Sequence, residues 1–378
     1  MRFFLVVLAA LALFVSACSP AAPADPGQVD SAVSTLYAAA TATAAAAATS
    51  TPVPTDPPSP TPVAPVISPA NLDRLSIHRW FGQSDTPRTV AFSPDDALLV
   101  TAGGNAEDFD IRVWEVETGG LILTLGGHTG IVWNVAISPD GSLLASGSDD
   151  QTVKIWDLQT GALLHSLDFP YAAVSVRFSP DGQRLAIGGG TGFSDAVILI
   201  YSVDTWQNPL QLSEYWNIPD IEYSPNGQVI VAGGTSRNVA IWSASSGVQQ
   251  SLLNHPGQVS SISISPDGST IATGLCQESD TDLQCTLGAV WLWDLDSGTI
   301  NTKLSDLSEW VTAVAYSPDG ALLYAAARGG NLIVYDTANY PSMAFKVPDG
   351  VDALALSADG RLLATVGNGG INLWQVAP

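Results

Sequence analysis

Ser146, His128 and Asp150 are the residue types of a nucleophile, a base and an orienting acid, and they stand close together in the chain. Around them the support for catalysis is thin. The four histidines, His78, His128, His165 and His255, fall in separate stretches, and no Gly-x-Ser-x-Gly elbow or phosphate loop is present. The run Gly188-Gly189-Gly190-Thr191-Gly192 lacks the third spaced glycine of a dinucleotide fingerprint and opens no helical pattern. Two acidic groups, Glu107, Asp108 and Asp110, and Glu278, Asp280 and Asp282, offer the oxygen ligands that calcium takes. Neither has the EF-hand spacing, and both read as solvated loop charge. Cys276 and Cys285 are close enough to close a small loop as a disulfide, and with no further Cys or His beside them a metal shell is incomplete. No metal and no cofactor is expected.

What must position these residues is a repeat. A turn of the form Ser-Pro-Asp-Gly follows a short apolar run at Ser93, Ser138, Ser179, Ser224, Ser265, Ser317 and Ser357, at spacings of 45, 41, 45, 41, 52 and 40 residues. A period of that size marks a tandem array of one supersecondary unit. Each unit ends in an alternating strand carrying Trp or Tyr: Trp114, Trp156, Tyr201, Trp242, Trp293, Tyr335 and Trp374. Segments of four to eight residues rich in Val, Ile, Leu and aromatics and bounded by Gly, Asp, Asn and Pro read as strands. The spacing of 52 is explained by an insertion from Gly274 to Cys285.

The clearest unit reads Gly127-His128, Ser138-Pro139-Asp140-Gly141, Ser146 to Asp150 and Ile155-Trp156-Asp157, and it resembles the WD40 repeat. The resemblance covers roughly residues 72 to 378. It implies an all-β fold, a seven-bladed β-propeller with four strands per blade. Residues 71 to 81, which precede the first turn, would supply the outer strand of the last blade and close the ring. It also implies that His128, Ser146, Asp150 and Trp156 form a buried structural tetrad that ties strands together, and not a catalytic triad. Only the second repeat carries that tetrad in full, so the other blades are expected to rely on apolar packing.

The N-terminus has a different character. Arg2 precedes an apolar run from Phe3 to Val15, too short to span a bilayer and of signal-peptide size. Val15-Ser16-Ala17-Cys18 resembles the bacterial lipobox, which implies cleavage after residue 17 and acylation of Cys18. More than one acyl chain is what makes such an anchor stable. Residues 18 to 70, dominated by Ala, Thr and Pro, predict a disordered tether whose Pro-rich half extends about 3.1 Å per residue. The expected address is therefore extracytoplasmic, on a membrane held through the lipid alone, and a disulfide fits that compartment.

The formal charge is −23, with 13 basic against 36 acidic residues. Such a surface repels nucleic acid and excludes it as a partner. Loops that differ between repeats cluster at one end of each unit: 105–110, 189–195 and the 276–285 insertion. Function is expected on that top face. Arg88, Trp133, Asp149, Tyr171, Tyr215, Trp216, Trp310 and Asp352 fall near the starts of innermost strands and form the candidate contact ring. The reading is a monomeric, non-catalytic scaffold for a protein, peptide or glycan. The alternative is a propeller hydrolase or oxidoreductase built on acidic residues of the axial channel.

Overall fold

The repeated turn is a self-contained hydrogen-bonding unit. In every repeat the serine hydroxyl donates to the Asp or Asn two residues on at 2.5–2.8 Å. The same hydroxyl accepts the backbone N–H five residues on, at 2.9–3.1 Å, where the next strand begins. Serine is needed because one short side chain must serve both roles inside a tight turn. The serine bond also holds the Asp95, Asp140, Asp181 and Asp267 carboxyls below the usual carboxylate range.

These turns nucleate seven four-stranded antiparallel sheets. The structure is a computed structural model, and it describes residues 63–81, 86–105, 108–190, 195–214, 218–234, 237–279, 285–348 and 350–377. The expected leader, Cys18 and most of the expected tether lie outside them. Blade 1 runs from its inner strand Pro87–Phe92 through Leu98–Gly103 and Ile111–Glu115 to the outer strand Leu121–Leu125. Blades 2 to 6 repeat that order from inner strands Val132–Ile137, Ala173–Phe178, Asp220–Tyr223, Val259–Ile264 and Val311–Tyr316. Blade 7 takes Ala353–Leu356, Leu362–Gly367 and Gly370–Val376 from the C-terminus and its outer strand, Leu75–Phe81, from the N-terminal side. Leu75 pairs with Val376 and Phe81 with Ile371, so the ring closes as the sequence predicts. The core also begins upstream of Asn71, because Ile67 is buried and its N–H donates to Gly360 at 2.9 Å.

Inner strands pack against one another around the whole ring, and blade 7 meets blade 1. A belt of hydrogen bonds stitches most of the seams. The residue four before each turn serine accepts the inner-strand N–H of the next blade: Thr89 from Val135, Asn134 from Val176, Ser175 from Ile221, Asp220 from Ile262 and Ser261 from Val314, at 2.8–3.3 Å. Ala313 and Ala353 occupy that position in blades 6 and 7 and have no side-chain acceptor. The seam between blades 6 and 7 uses Thr312 instead, whose hydroxyl donates to Val351 O at 2.6 Å.

The closing seam uses a paired substitution. At six seams the proline of one turn lies against the glycine of the next, from Pro94 with Gly141 to Pro318 with Gly360. At the seventh, Ala358 replaces the proline and Asp96 the glycine. Alanine keeps the N–H that proline lacks, and the Asp96 carboxylate accepts from Ala358 N at 2.6 Å and Asp359 N at 2.9 Å. Asp96 holds φ at 59°, as the glycines it replaces do. Asp96→Gly or Ala358→Pro alone is expected to cost about 1–2 kcal/mol. The double variant restores the pairing of the other six seams and is expected to cost less than the sum of the two. Urea denaturation of the four proteins measures the coupling, and strict additivity would show that the two positions do not act together.

Candidate binding site at the channel mouth

Five inner strands carry a bulge at one position, the fifth residue before the turn serine. Pairing skips Arg88, Trp133, Val174, Ser260 and Thr312. A bulge leaves one residue unpaired and re-aims its side chain, and all five line the axial cavity, of about 750 Å³. Pro219 and Asp352 hold the matching position in blades 4 and 7 and line it too. The fold thus presents a ring of seven positions, one per blade, whose side chains do not repeat. Each lies at the end of its strand opposite the Ser-Pro-Asp turn, which defines the top mouth.

At that mouth an arginine lies over each of two tryptophans. The Arg88 guanidinium lies 5.0 Å from the centre of the Trp133 ring, and Arg328 5.9 Å from that of Trp310. Trp133 is fixed from its edge, because its Nε1–H donates to Asp149 Oδ1 at 2.8 Å. Arg88, Trp133, Trp310 and Asp352, four of the candidate ring residues, therefore line one cavity. Asp149 is exposed and does not itself line the cavity; it steadies Trp133. Tyr171 does not belong to the ring. It stands three residues further upstream of its turn than the bulge position and packs half-buried on the apolar core between blades 2 and 3. Tyr215 and Trp216 lie outside the described residues.

A charged trio sits further along the channel and escaped the sequence reading. Arg177 Nη2 lies 3.9 Å from Asp220 Oδ1 and 3.8 Å from Glu222 Oε2, and its Nε donates to Ile221 O at 3.3 Å. Burial pushes the Glu222 carboxyl up to about 7, partly offset by Arg177, and raises Asp220 as well. Asp220 is engaged in the seam, accepting Ile262 N–H and the Ser261 hydroxyl. The trio was legible in principle, since Arg177 and Glu222 are each two residues before a turn serine, where the other blades have Ala or Ser. Arg328 gave no such signal, because it follows a second strand, Leu322–Ala327.

The Ser, His and Asp constellation is a strand tie. His128 bonds Asp150 through Nδ1 and Ser146 through Nε2, each at 2.8 Å, and Trp156 Nε1–H donates to Ser146 at 2.9 Å. Ser146 is fully buried, so no substrate carbonyl can reach its hydroxyl. Burial pushes the Asp150 carboxyl up, but hydrogen bonds from Thr152, Thr129 and His128 outweigh it and hold it at about 2.

The expectation that other blades do without such ties needs correction. Trp114 donates to Thr101 at 2.9 Å and Trp374 to Thr365 at 3.0 Å. In blade 5, Trp293 Nε1–H donates to His255 Nε2 at 3.0 Å, and Thr273 Oγ1 lies 2.9 Å from the same nitrogen. In blades 1 and 7 a threonine hydroxyl on the second strand accepts the buried indole directly, in blade 5 His255 accepts it and the threonine bonds the histidine, and this exchange hides the tie from a search for the full tetrad.

The elaborated loops are partly accounted for. Cys276 and Cys285 are disulfide-bonded across the hairpin of Thr270–Ser279 and Cys285–Asp294. Asp108 forms an ion pair with Arg112 at 2.5 Å, which occupies the carboxylate that the calcium reading needed. Glu107, Asp280 and Asp282 lie outside the described residues. Among the described residues no group of three His, Cys, Asp or Glu stands close enough to hold a metal ion.

The family model of the WD domain, G-beta repeat, matches residues 75–115, 119–157, 212–243, 247–285, 299–336 and 341–375, more than half of the chain. The chain belongs to the WD40 repeat family. The one WD40 unit that the model passes over is blade 3, where Tyr201 stands for the tryptophan and a glycine-rich insertion lengthens the hairpin; the structure shows its four strands in place. The WD40 chain is 35% identical over 126 residues to eukaryotic translation initiation factor 3 subunit I of Pyricularia oryzae, covering 32% of this chain and 36% of that protein. It is 26% identical over 302 residues to the periodic tryptophan protein 2 homolog of Schizosaccharomyces pombe, with coverage of 69% and 34%. Over 197 residues it is 28% identical to guanine nucleotide-binding protein subunit beta-5b of Danio rerio, with coverage of 49% and 47%. The chain spans about a third to a half of the length of these curated relatives.

Proposed function

We propose that this WD40 propeller is a non-catalytic binding scaffold, anchored outside the cytoplasm of a bacterial cell by acylated Cys18, that receives a protein, peptide or glycan at its top face. The observation that carries the reading is the bulge ring: the backbone repeats around the channel while the residue aimed into the mouth changes in every blade. Two of the relatives are named as subunits, of a translation initiation factor and of a guanine nucleotide-binding protein, which agrees with a scaffold role. The anchoring rests on Arg2, the run Phe3 to Val15 and the small residues before Cys18. Large aromatics beside polar groups are the usual anchors of an interface, and Trp133 and Trp310 supply them.

Two measurements test the reading. Full-length protein made in a bacterial host is expected to partition into detergent and to yield an N-terminal peptide with acylated Cys18, and Cys18→Ala to release it; an unmodified Cys18 sinks the anchor. Affinity capture with wild type and with Trp133→Ala/Trp310→Ala, followed by direct binding of the captured partner to both purified forms, tests the top face. At least a tenfold loss with the double variant is expected, and unchanged affinity places the contact elsewhere. Turnover on a hydrolase and oxidoreductase panel that disappears with Glu222→Gln would overturn the scaffold in favour of the channel enzyme.

A further inference from the structure

Three arginines line the axial cavity, Arg88, Arg177 and Arg328. Arg177 reaches a carbonyl and two carboxylates. Among the described residues Arg88 and Arg328 make no side-chain hydrogen bond and no ion pair, and the Arg88 Nε is buried with no partner. This happens in a chain with 36 acidic residues, where pairing a guanidinium is easy. Both line one cavity. Each lies over a tryptophan face within cation–π range, an interaction that takes none of the guanidinium N–H groups and leaves them without acceptors.

We propose that the channel mouth recognises a carboxylate on a peptide, gripped by the guanidinium edges of Arg88 and Arg328 between Trp133 and Trp310. This rests on the top-face reading and gives it a ligand class. A buried donor left without an acceptor is costly, a ligand oxygen relieves that cost, and the planar fork of arginine matches the two oxygens of a carboxylate. The overall charge decides the kind of anion. At −23 the molecule repels polyanions from a distance, so the ligand carries a single, localised charge, either a Glu or Asp side chain or a C-terminal carboxylate. Asp352 is the one carboxylate in the ring of bulge-position residues, and it opposes such a ligand.

The test uses the full chain and three probes in calorimetric titration at fixed ionic strength. The first is acetylated and amidated Gly-Ser-Gly-Glu-Gly-Ser-Gly, whose glutamate is its one charge. The second is its glutamine twin, and the third is the glutamine peptide with a free C-terminus. Saturable binding of the first or third, at least tenfold tighter than the twin, is expected, and the stronger of the two identifies the source of the carboxylate. Arg88→Gln and Arg328→Gln are each expected to weaken that binding about tenfold without shifting the melting temperature. Asp352→Asn is expected to tighten it severalfold, which a merely structural role would not do. If the charged and neutral peptides bind alike and Trp133→Ala/Trp310→Ala abolishes both, the carboxylate inference fails while the top-face reading stands. If no peptide binds and the tryptophan changes leave partner capture intact, both fail.

Discussion

A chain beginning at residue 82 is expected not to fold as a monomer, whereas one beginning at residue 63 is expected to unfold in the same cooperative transition as the full protein. The deleted stretch contributes Ile67, Leu72, Leu75 and Phe81 to the core. At about 1.5–3 kcal/mol for each buried side chain, their loss totals about 6–12 kcal/mol, the size of the whole stability of an ordinary domain. The loss is also topological. Leu75–Phe81 is the outer strand of blade 7 and a tie to blade 1: Arg79 donates to Val116 O at 3.0 Å and to Glu117 O at 2.6 Å, and the Phe81 ring lies 5.8 Å from Trp114. Without it, Gly370–Val376 becomes an exposed apolar edge that invites pairing with other chains. Circular dichroism and sedimentation of the two truncations check this, and a peptide of residues 63–81 added in trans is expected to restore solubility. A folded, monomeric chain from residue 82 would show that ring closure through this strand is dispensable.

Between pH 4.5 and 6.5 the buried His255 and the half-buried Glu222 are expected to oppose each other, and Glu222→Gln to unmask the histidine. Burial draws His255 down from 6.5 to about 4. Its Nε2 accepts the Trp293 indole, and a proton there would face a donor. Because the folded value lies below the unfolded one, the His255 contribution is full above pH 6.5 and is lost as the pH falls through 4. Glu222 is shifted the other way, from 4.5 to about 7. Its contribution is full below pH 4.5 and is lost as the pH rises through 7. Each gap corresponds to about 3 kcal/mol. His128 is lowered by burial and sides with His255, while Asp220 is raised by burial and sides with Glu222. The wild type is therefore expected to vary by no more than about 1 kcal/mol across this window, and Glu222→Gln to lose about 2–3 kcal/mol on going from pH 7 to 4.5. Urea midpoints at five pH values decide the matter, and a variant as flat as the wild type would mean that Glu222 stays hydrated in the channel.

The period, the turns and the terminal aromatics announced seven units of four strands and the closing outer strand, because each is a local signature. A Ser-Pro-Asp-Gly turn satisfies its own hydrogen bonds within five residues, so its sequence is its structure. The tetrad of His128, Ser146, Asp150 and Trp156 was legible for the same reason, since all four lie in one blade. The reduced ties of Thr101, Thr273 and Thr365 were not, because a threonine in a strand looks like any β-former until the tryptophan it faces is known. The site divides along the same line. Trp133, Tyr171 and Trp310 were all chosen for standing just before or at the start of an innermost strand; Trp133 and Trp310 line the cavity with Arg88 and Asp352, whereas Tyr171 packs on the apolar core between blades 2 and 3. Arg177, Asp220, Glu222 and Arg328 became a site only when blades distant in sequence were brought around one axis. The sequence by itself determined the unit, its number and its closure, through contacts within a repeat. Which side chains share the channel, and which arginines find no partner there, was decided by the tertiary structure, because a ring brings together residues that no single repeat contains.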